Sequence, residues 1–217
     1  MLRFRLFGFP VFIHWSFWLT VAIFGGAFER ANDPDGMRQL LAWVFVALVS
    51  ILIHELGHAF VMRHFGDPRA FITLHSFGGL ATGSRRLTRQ QSFYITLAGP
   101  AAQLTAGVLA WNLVDLVPGM TGLGKIMADS FVRISIFWAL VNLVPIIPLD
   151  GGHIALALLG PQRQRTALLI SLVSAGLMLF LALTNGFVFG AIIVGMMAFN
   201  NIRSLRGEPI QPFLGAS

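Results

Sequence analysis

The chain has 217 residues, of which 56% are hydrophobic and 11% charged, against the roughly 25% charged typical of a soluble globular domain. It is therefore expected to lie mostly in lipid, as one membrane domain over residues 1–217. Cysteine is absent, which excludes disulfides and thiolate ligands and leaves His, Asp and Glu to hold any transition metal. The net charge of +6 comes almost wholly from arginines scattered at the ends of apolar runs, the pattern of membrane flanks and not of a nucleic-acid surface.

Six apolar runs approach the roughly 20 residues that a spanning helix needs. They lie at about Val11 to Phe28, Gln39 to Phe65, Phe93 to Val114, Phe131 to Pro148, Thr166 to Leu183 and Phe187 to Ile202. The expected fold class is an all-α polytopic membrane protein with about six transmembrane helices. The first run, preceded by Arg3 and Arg5 and with Gly25 and Ala27 near its end, has the alternative reading of a cleaved signal peptide. Phe28-Glu29 is a poor cleavage context, and an even number of spans suits the charges. With a cytoplasmic amino terminus, the inside segments collect Arg3, Arg5, Arg63, Arg69, Arg85, Arg86, Arg89, Arg163, Arg165, Arg203 and Arg206. The outside segments hold Arg30, Arg38 and Lys125, with Arg133 near a helix start, so both termini are predicted in the cytoplasm. Arg85, Arg86 and Arg89 read as topology anchors that touch anionic lipid.

The second run carries His54-Glu55-Leu56-Gly57-His58. On a helix, positions i and i+4 share a face, so both imidazoles can reach one ion, with Glu55 beside them to take a proton from water. Two histidines and a glutamate in an apolar helix are costly unless paired or metal-bound; their alternative reading is polar packing inside a bundle. After this run, Phe71 to Gly83 is too rich in Gly, Thr and β-branched residues for a good helix and too apolar for a solvent loop. A short strand or hairpin, partly sunk in the membrane, is expected there. Extended backbone at that depth needs protein or a wet cavity to satisfy it, so a site is expected beside it.

A catalytic zinc takes three protein ligands and keeps a fourth position open. The candidate third ligand is Asp150, at the end of the fourth run, where Pro145 and Pro148 break the helix and Gly151 and Gly152 let backbone come close. Its alternative reading is a cap on the helix that follows. The predicted topology runs the second and fourth spans in the same direction, with both motifs near their inner ends. Asn142 lies eight residues before Asp150, about two helical turns, so it is a candidate to share that face and hydrogen-bond substrate backbone or an oxyanion; helix-helix hydrogen bonding is its alternative role. His14 and His153 read as helix-end or packing residues, His64 as interfacial, and His75 as structural or lining a substrate edge.

These paired motifs resemble the site-2 proteases, a family of intramembrane zinc metalloproteases. The resemblance rests on His54-Glu55-Leu56-Gly57-His58 and on Asn142-Leu143-Val144-Pro145-Ile146-Ile147-Pro148-Leu149-Asp150-Gly151-Gly152. Weaker echoes are Phe77-Gly78-Gly79, Ala98-Gly99-Pro100 and the opening Gly8-Phe9-Pro10 through His14-Trp15. It implies one zinc ion on His54, His58 and Asp150, Glu55 as general base, and membrane-spanning segments as substrates. Relatives often carry a PDZ or CBS domain, for which this chain has no room. Metal chemistry then supplies the expected mechanism. Zinc brings the pKa of a water toward about 7 and polarises the peptide carbonyl, and Glu55 takes the proton and passes it to the leaving amine.

A peptide bond inside a helix is shielded, so the substrate is expected to unwind and lie along the Phe71 to Gly83 segment, with Ile72, Leu74, Gly78 and Gly79 as candidate contacts. Two other classes compete: a metal transporter, and a relative that binds transmembrane segments without cutting them. A transporter favours several ion sites and often repeats, whereas these ligands gather at one place beside a base. Family analogy suggests an anti-sigma factor or similar single-span regulator as substrate. The excess of Arg over Lys hints at a GC-rich bacterial genome, hence the inner (cytoplasmic) membrane.

Overall fold

The computed structural model describes residues 1–208, apart from Ala31, Phe77, Arg85, Arg86 and Pro118 and the side chain of Asp115. The anchor reading of Arg85 and Arg86, and Phe77 of the Phe77-Gly78-Gly79 echo, lie outside the described residues. The chain divides into two compact units, Met1–Leu87 with Tyr94–Leu140, and Thr88–Phe93 with Val141–Ser217.

The first unit opens with strands β1 (Leu2–Leu6) and β2 (Phe9–Ile13). They are joined by Phe7 and Gly8, both at positive φ, 49° and 82°, the backbone of a tight type I′ hairpin. Helix α1 (Trp15–Phe24) follows, capped by the His14 side chain, which accepts from the Ser16 amide. After the four-residue helix α2 (Ala27–Arg30) comes α3 (Pro34–His64). Its start is capped, with Asp33 accepting from the Gly36 amide and Pro34 in the first turn. Its end has Arg63 and His64 in the last turn and Gly66 at φ 84° just beyond. Strands β3 (Phe71–His75) and β4 (Gly78–Thr82) complete a sheet in the order β1-β2-β3-β4. The outer pairs are antiparallel and the β2–β3 pair parallel, with Val11 opposite Ile72 and Ile13 opposite Leu74.

Alternation along β2 and β3 buries Phe9, Val11, Ile13, Ile72 and Leu74 in one core with Phe17 of α1 and Val46, Ile51, Leu56 and Ala59 of α3. The sheet is thus plated onto the motif-bearing helix. Arg63 fastens the hairpin to the end of that helix: its guanidinium lies 3.5 Å from the Phe9 ring centroid and donates to the Phe7 carbonyl at 3.1 Å. Helices α4 (Arg89–Asp115) and α5 (Gly122–Asn142) continue the chain.

In the second unit, α6 (Asp150–Leu159) is followed by a single 3-10 turn at Pro161–Arg163 and by α7 (Gln164–Thr184) and α8 (Val188–Leu205), which pack together. A small apolar core gathers Ile146, Ala175, Val194 and Met197.

The expectation of a mostly helical chain with apolar spans holds, and three details differ. Among the described residues, four helices are long and apolar enough to cross a membrane, Pro34–His64, Arg89–Val114, Pro161–Thr184 and Val188–Leu205, rather than six. The first expected span is a strand up to Ile13 and then a helix of 10 residues, because Phe9 to Ile13 pairs with both neighbours in the sheet and its hydrophobicity serves that core. The fourth expected span ends at Asn142, and residues 143–149 are not helical before α6 begins at Asp150. The expected hairpin at Phe71 to Gly83 is present, but as half of a four-stranded sheet.

Candidate metal centre

His54, Glu55 and His58 are 4%, 3% and 7% exposed, side by side on the buried face of α3. Their i, i+4 spacing brings the two imidazoles together, with Nε2 atoms 3.1 Å apart and rings at 80°. The opposite edges of the rings are held by α4. Nδ1 of His58 donates to the Ile95 carbonyl at 2.7 Å, and Nδ1 of His54 lies 3.0 Å from Oε1 of Gln103. With both Nδ1 atoms donating, each Nε2 presents a lone pair toward the other, an arrangement that a shared cation reconciles.

Ile95, Gly99 and Gln103 are spaced by four, so one stripe of α4 makes these contacts. Small residues let the helices approach: a Cβ at Gly99 would overlap the His58 ring, and one at Gly57 would press on the Ala98 carbonyl and Ala102. The Ala98-Gly99-Pro100 echo thereby acquires a physical meaning. Gln103 was missed in the sequence, although a glutamine within an apolar run is itself a signal.

Strand β4 lies against Glu55. A Cβ at Gly79 would overlap the Glu55 carboxyl group, whereas Gly78, at φ 114°, has open space where its side chain would be. Ile72 and Leu74, expected as substrate contacts, are fully buried in the core. They belong to β3, which is paired on both sides, so the outer edge on that side of the sheet is β4.

Asp150 is the first residue of α6, half-buried; the capping position is Leu149 and makes no side-chain cap bond. Its position is set by the bend before it. The Ile147 amide donates to Oγ of Ser171 at 2.8 Å, and Nδ2 of Asn201 donates to the Ile147 carbonyl at 3.0 Å and to Ser171 at 2.6 Å. Cβ atoms at Gly151 and Gly152 would collide with the backbone of Leu143–Val144 and Ile146–Ile147. The two glycines therefore allow the first turn of α6 to lie on the bend. Asn142 closes α5 and is separated from Asp150 by that non-helical bend, so the two do not share a helical face as expected. Ser171 and Asn201, both buried, are further polar residues inside apolar helices that sequence reasoning passed over.

His54 and His58 of the first unit each offer an imidazole nitrogen as a ligand atom, and Asp150 of the second unit offers a carboxylate oxygen. Two nitrogens and one oxygen are the donors of a catalytic zinc site. For two imidazoles on a tetrahedral zinc at about 2.0–2.1 Å, the nitrogens sit about 3.3 Å apart, close to the 3.1 Å between the Nε2 atoms. The residues present fit the ion. Elsewhere, His75 sits half-buried on β3 near His14, and burial first, then the His14 charge, lower its pKa below the usual 6.5.

Comparison with known proteins agrees with this chemistry. Residues 121–183 match the model of peptidase family M50. The chain is 28% identical to Rip3 of Mycobacterium tuberculosis over 201 residues, covering 82% of this chain and 51% of that protein. It is 26% identical over 162 residues to a protein of Methanocaldococcus jannaschii named as a zinc metalloprotease, covering 73% of this chain and 45% of that one. Stage IV sporulation protein FB of Bacillus subtilis is 33% identical over 130 residues, 58% of this chain and 42% of that one. The chain thus spans about half the length of these curated relatives. The solved site-2 protease of Methanocaldococcus jannaschii superposes with a TM-score of 0.64 at 22% identity, over 99% of each chain, so the fold is that of a site-2 protease.

Proposed function

We propose that this chain is a zinc metalloprotease of the site-2 protease family that hydrolyses a peptide bond within or next to a transmembrane segment of another membrane protein. The observation that carries this reading is the buried His54–His58 pair, its Nε2 atoms 3.1 Å apart with Glu55 on the same helix face. In this reading His54, His58 and Asp150 hold one zinc ion. When bound, that ion acidifies a water and polarises the scissile carbonyl. Glu55 is the general base that takes the proton of the attacking water and returns it to the leaving amine.

A transmembrane substrate presents its peptide bonds within a helix and must be held extended before attack. Strand β4 is suited to holding it, because it borders the sheet and Gly79 lies directly against the base. The proposed contacts move accordingly from the buried side chains of Ile72 and Leu74 to the backbone of β4, Gly78 and Gly79 included. Asn142, at the end of α5, is retained as a proposed polar contact for substrate. The proposed setting is a bacterial inner membrane with both termini cytoplasmic, and the proposed partner a single-span regulator such as an anti-sigma factor.

The test is cleavage of a transmembrane peptide by the purified protein in detergent. Activity should vanish with a chelator and return with zinc. Glu55→Gln should abolish it while keeping the metal, whereas His58→Ala or Asp150→Ala should lose both. Cleavage that persists in Glu55→Gln would refute the assignment of the base.

A further inference from the structure

We propose that Gln103 is the positioning residue that fixes the tautomer and ring orientation of His54, as the terminus of a buried relay Gln103–Ser50–Ser135. The inference rests on the metal site proposed above. Gln103 is 0% exposed in the middle of α4, a place where an amide is costly unless all of its groups are engaged. Its Oε1 is 3.0 Å from Nδ1 of His54, and its Nε2 donates to Oγ of Ser50 at 2.9 Å. Ser50 is in turn 2.8 Å from Oγ of Ser135 on α5, and both serines are fully buried.

The contact between Gln103 and His54 is directional. An amide can flip, and only one orientation puts an acceptor on Nδ1. The alternative would aim the amide NH2 at that nitrogen and place the His54 proton on Nε2, the atom turned toward His58. Ser50 engages the amide NH2, its oxygen accepting from Nε2 of Gln103 at 2.9 Å and lying 2.8 Å from Oγ of Ser135, a pair in which either hydroxyl can donate. In this orientation Oε1 faces Nδ1 and the Nε2 lone pair of His54 stays available to a cation. His58 needs no such device, since a backbone carbonyl at Ile95 can only accept. The two histidines of one motif are therefore oriented by different means, and the side-chain one is open to mutation.

The test measures zinc affinity of the purified protein in detergent by competition with a chromogenic chelator, and the visible spectrum of the cobalt-substituted protein, both independent of proteolysis. Gln103→Met removes the acceptor at nearly constant volume, and Gln103→Asn withdraws it by one methylene while staying polar. Whichever of them folds should bind zinc about 10- to 100-fold more weakly and shift the cobalt bands. Gln103→Glu keeps an acceptor for Nδ1–H and should restore the affinity. Ser135→Ala, at the far end of the relay, should leave most of it. If wild-type protein fails to bind zinc, the metal-site reading itself fails. If wild type binds tightly and the Met and Asn variants bind equally well, or if Glu and Ser135→Ala weaken binding as much as Met does, the positioning role is overturned and the metal site stands.

Discussion

Replacing Gly79 by alanine tests the placement of Glu55, the proposed base, against the sheet. A Cβ at position 79 would fall within the Glu55 carboxyl group, which is 3% exposed. Ordinary contact requires the carboxylate or β4 to move by about 1 Å, and a shift of that size in a catalytic group costs about 100-fold in rate, or about 2.7 kcal/mol of transition-state stabilisation. Overpacking of this kind also destabilises the fold by about 1–3 kcal/mol. The matched control is Gly78→Ala. There the Cβ meets nothing, but the backbone φ of 114° disfavours a side chain, at a cost of order 1–3 kcal/mol. Both variants should therefore lose stability to a similar degree, while only Gly79→Ala loses kcat. Peptide cleavage, thermal unfolding and zinc content on the same preparations separate these effects, with zinc content expected to hold in both. A Gly79→Ala protein that cleaves at the wild-type rate would refute the argument.

Further expectations concern other parts of the molecule. Asn201→Ala strips the Ile147 carbonyl and Ser171 of a buried donor, which should lower the unfolding free energy by about 1–3 kcal/mol, read from denaturation in mixed micelles; an unchanged midpoint would mean that the bend before Asp150 is held otherwise. His75 has its pKa lowered in the folded chain, so the unfolded chain binds the proton more readily. Its contribution is intact above about pH 6.5 and is lost as pH falls below that value. His75→Gln should flatten this part of the stability profile, and parallel profiles would contradict it. Proline at Leu80 and at Ala81 should differ, because successive amides of β4 alternate between the β3 ladder and the outer edge. The substitution that spares the ladder should keep the fold and the zinc yet reduce cleavage, and full activity in that variant would remove β4 as the substrate-holding edge.

Local chemistry made several features legible from the residues alone. The HExxH spacing needs only a helix to place two imidazoles on one face, and an apolar run long enough to span lipid needs only its own hydropathy. Asp33-Pro34 at the start of α3 and Gly66 after its end are signals of the same short-range kind that the sequence reading did not use. The strand character of Phe71 to Gly83 was also readable, since Gly, Thr and β-branched residues disfavour a helix wherever they sit. Hydropathy could not distinguish a residue buried in lipid from one buried in a sheet core, which is why Val11 to Ile13 read as part of a span.

By itself, then, the sequence determined the HExxH spacing on one helix face, the apolar spans and the extended backbone that follows the motif-bearing helix. Tertiary structure alone decided that the opening segment joins that backbone in a four-stranded sheet, that Gly79 gives room to Glu55, and that Gln103 and Ile95 orient the histidines. The reason is one of range. Caps, spacings and hydropathy act over a few residues, whereas these contacts join positions far apart in the chain, and which distant partners meet depends on how whole faces pack.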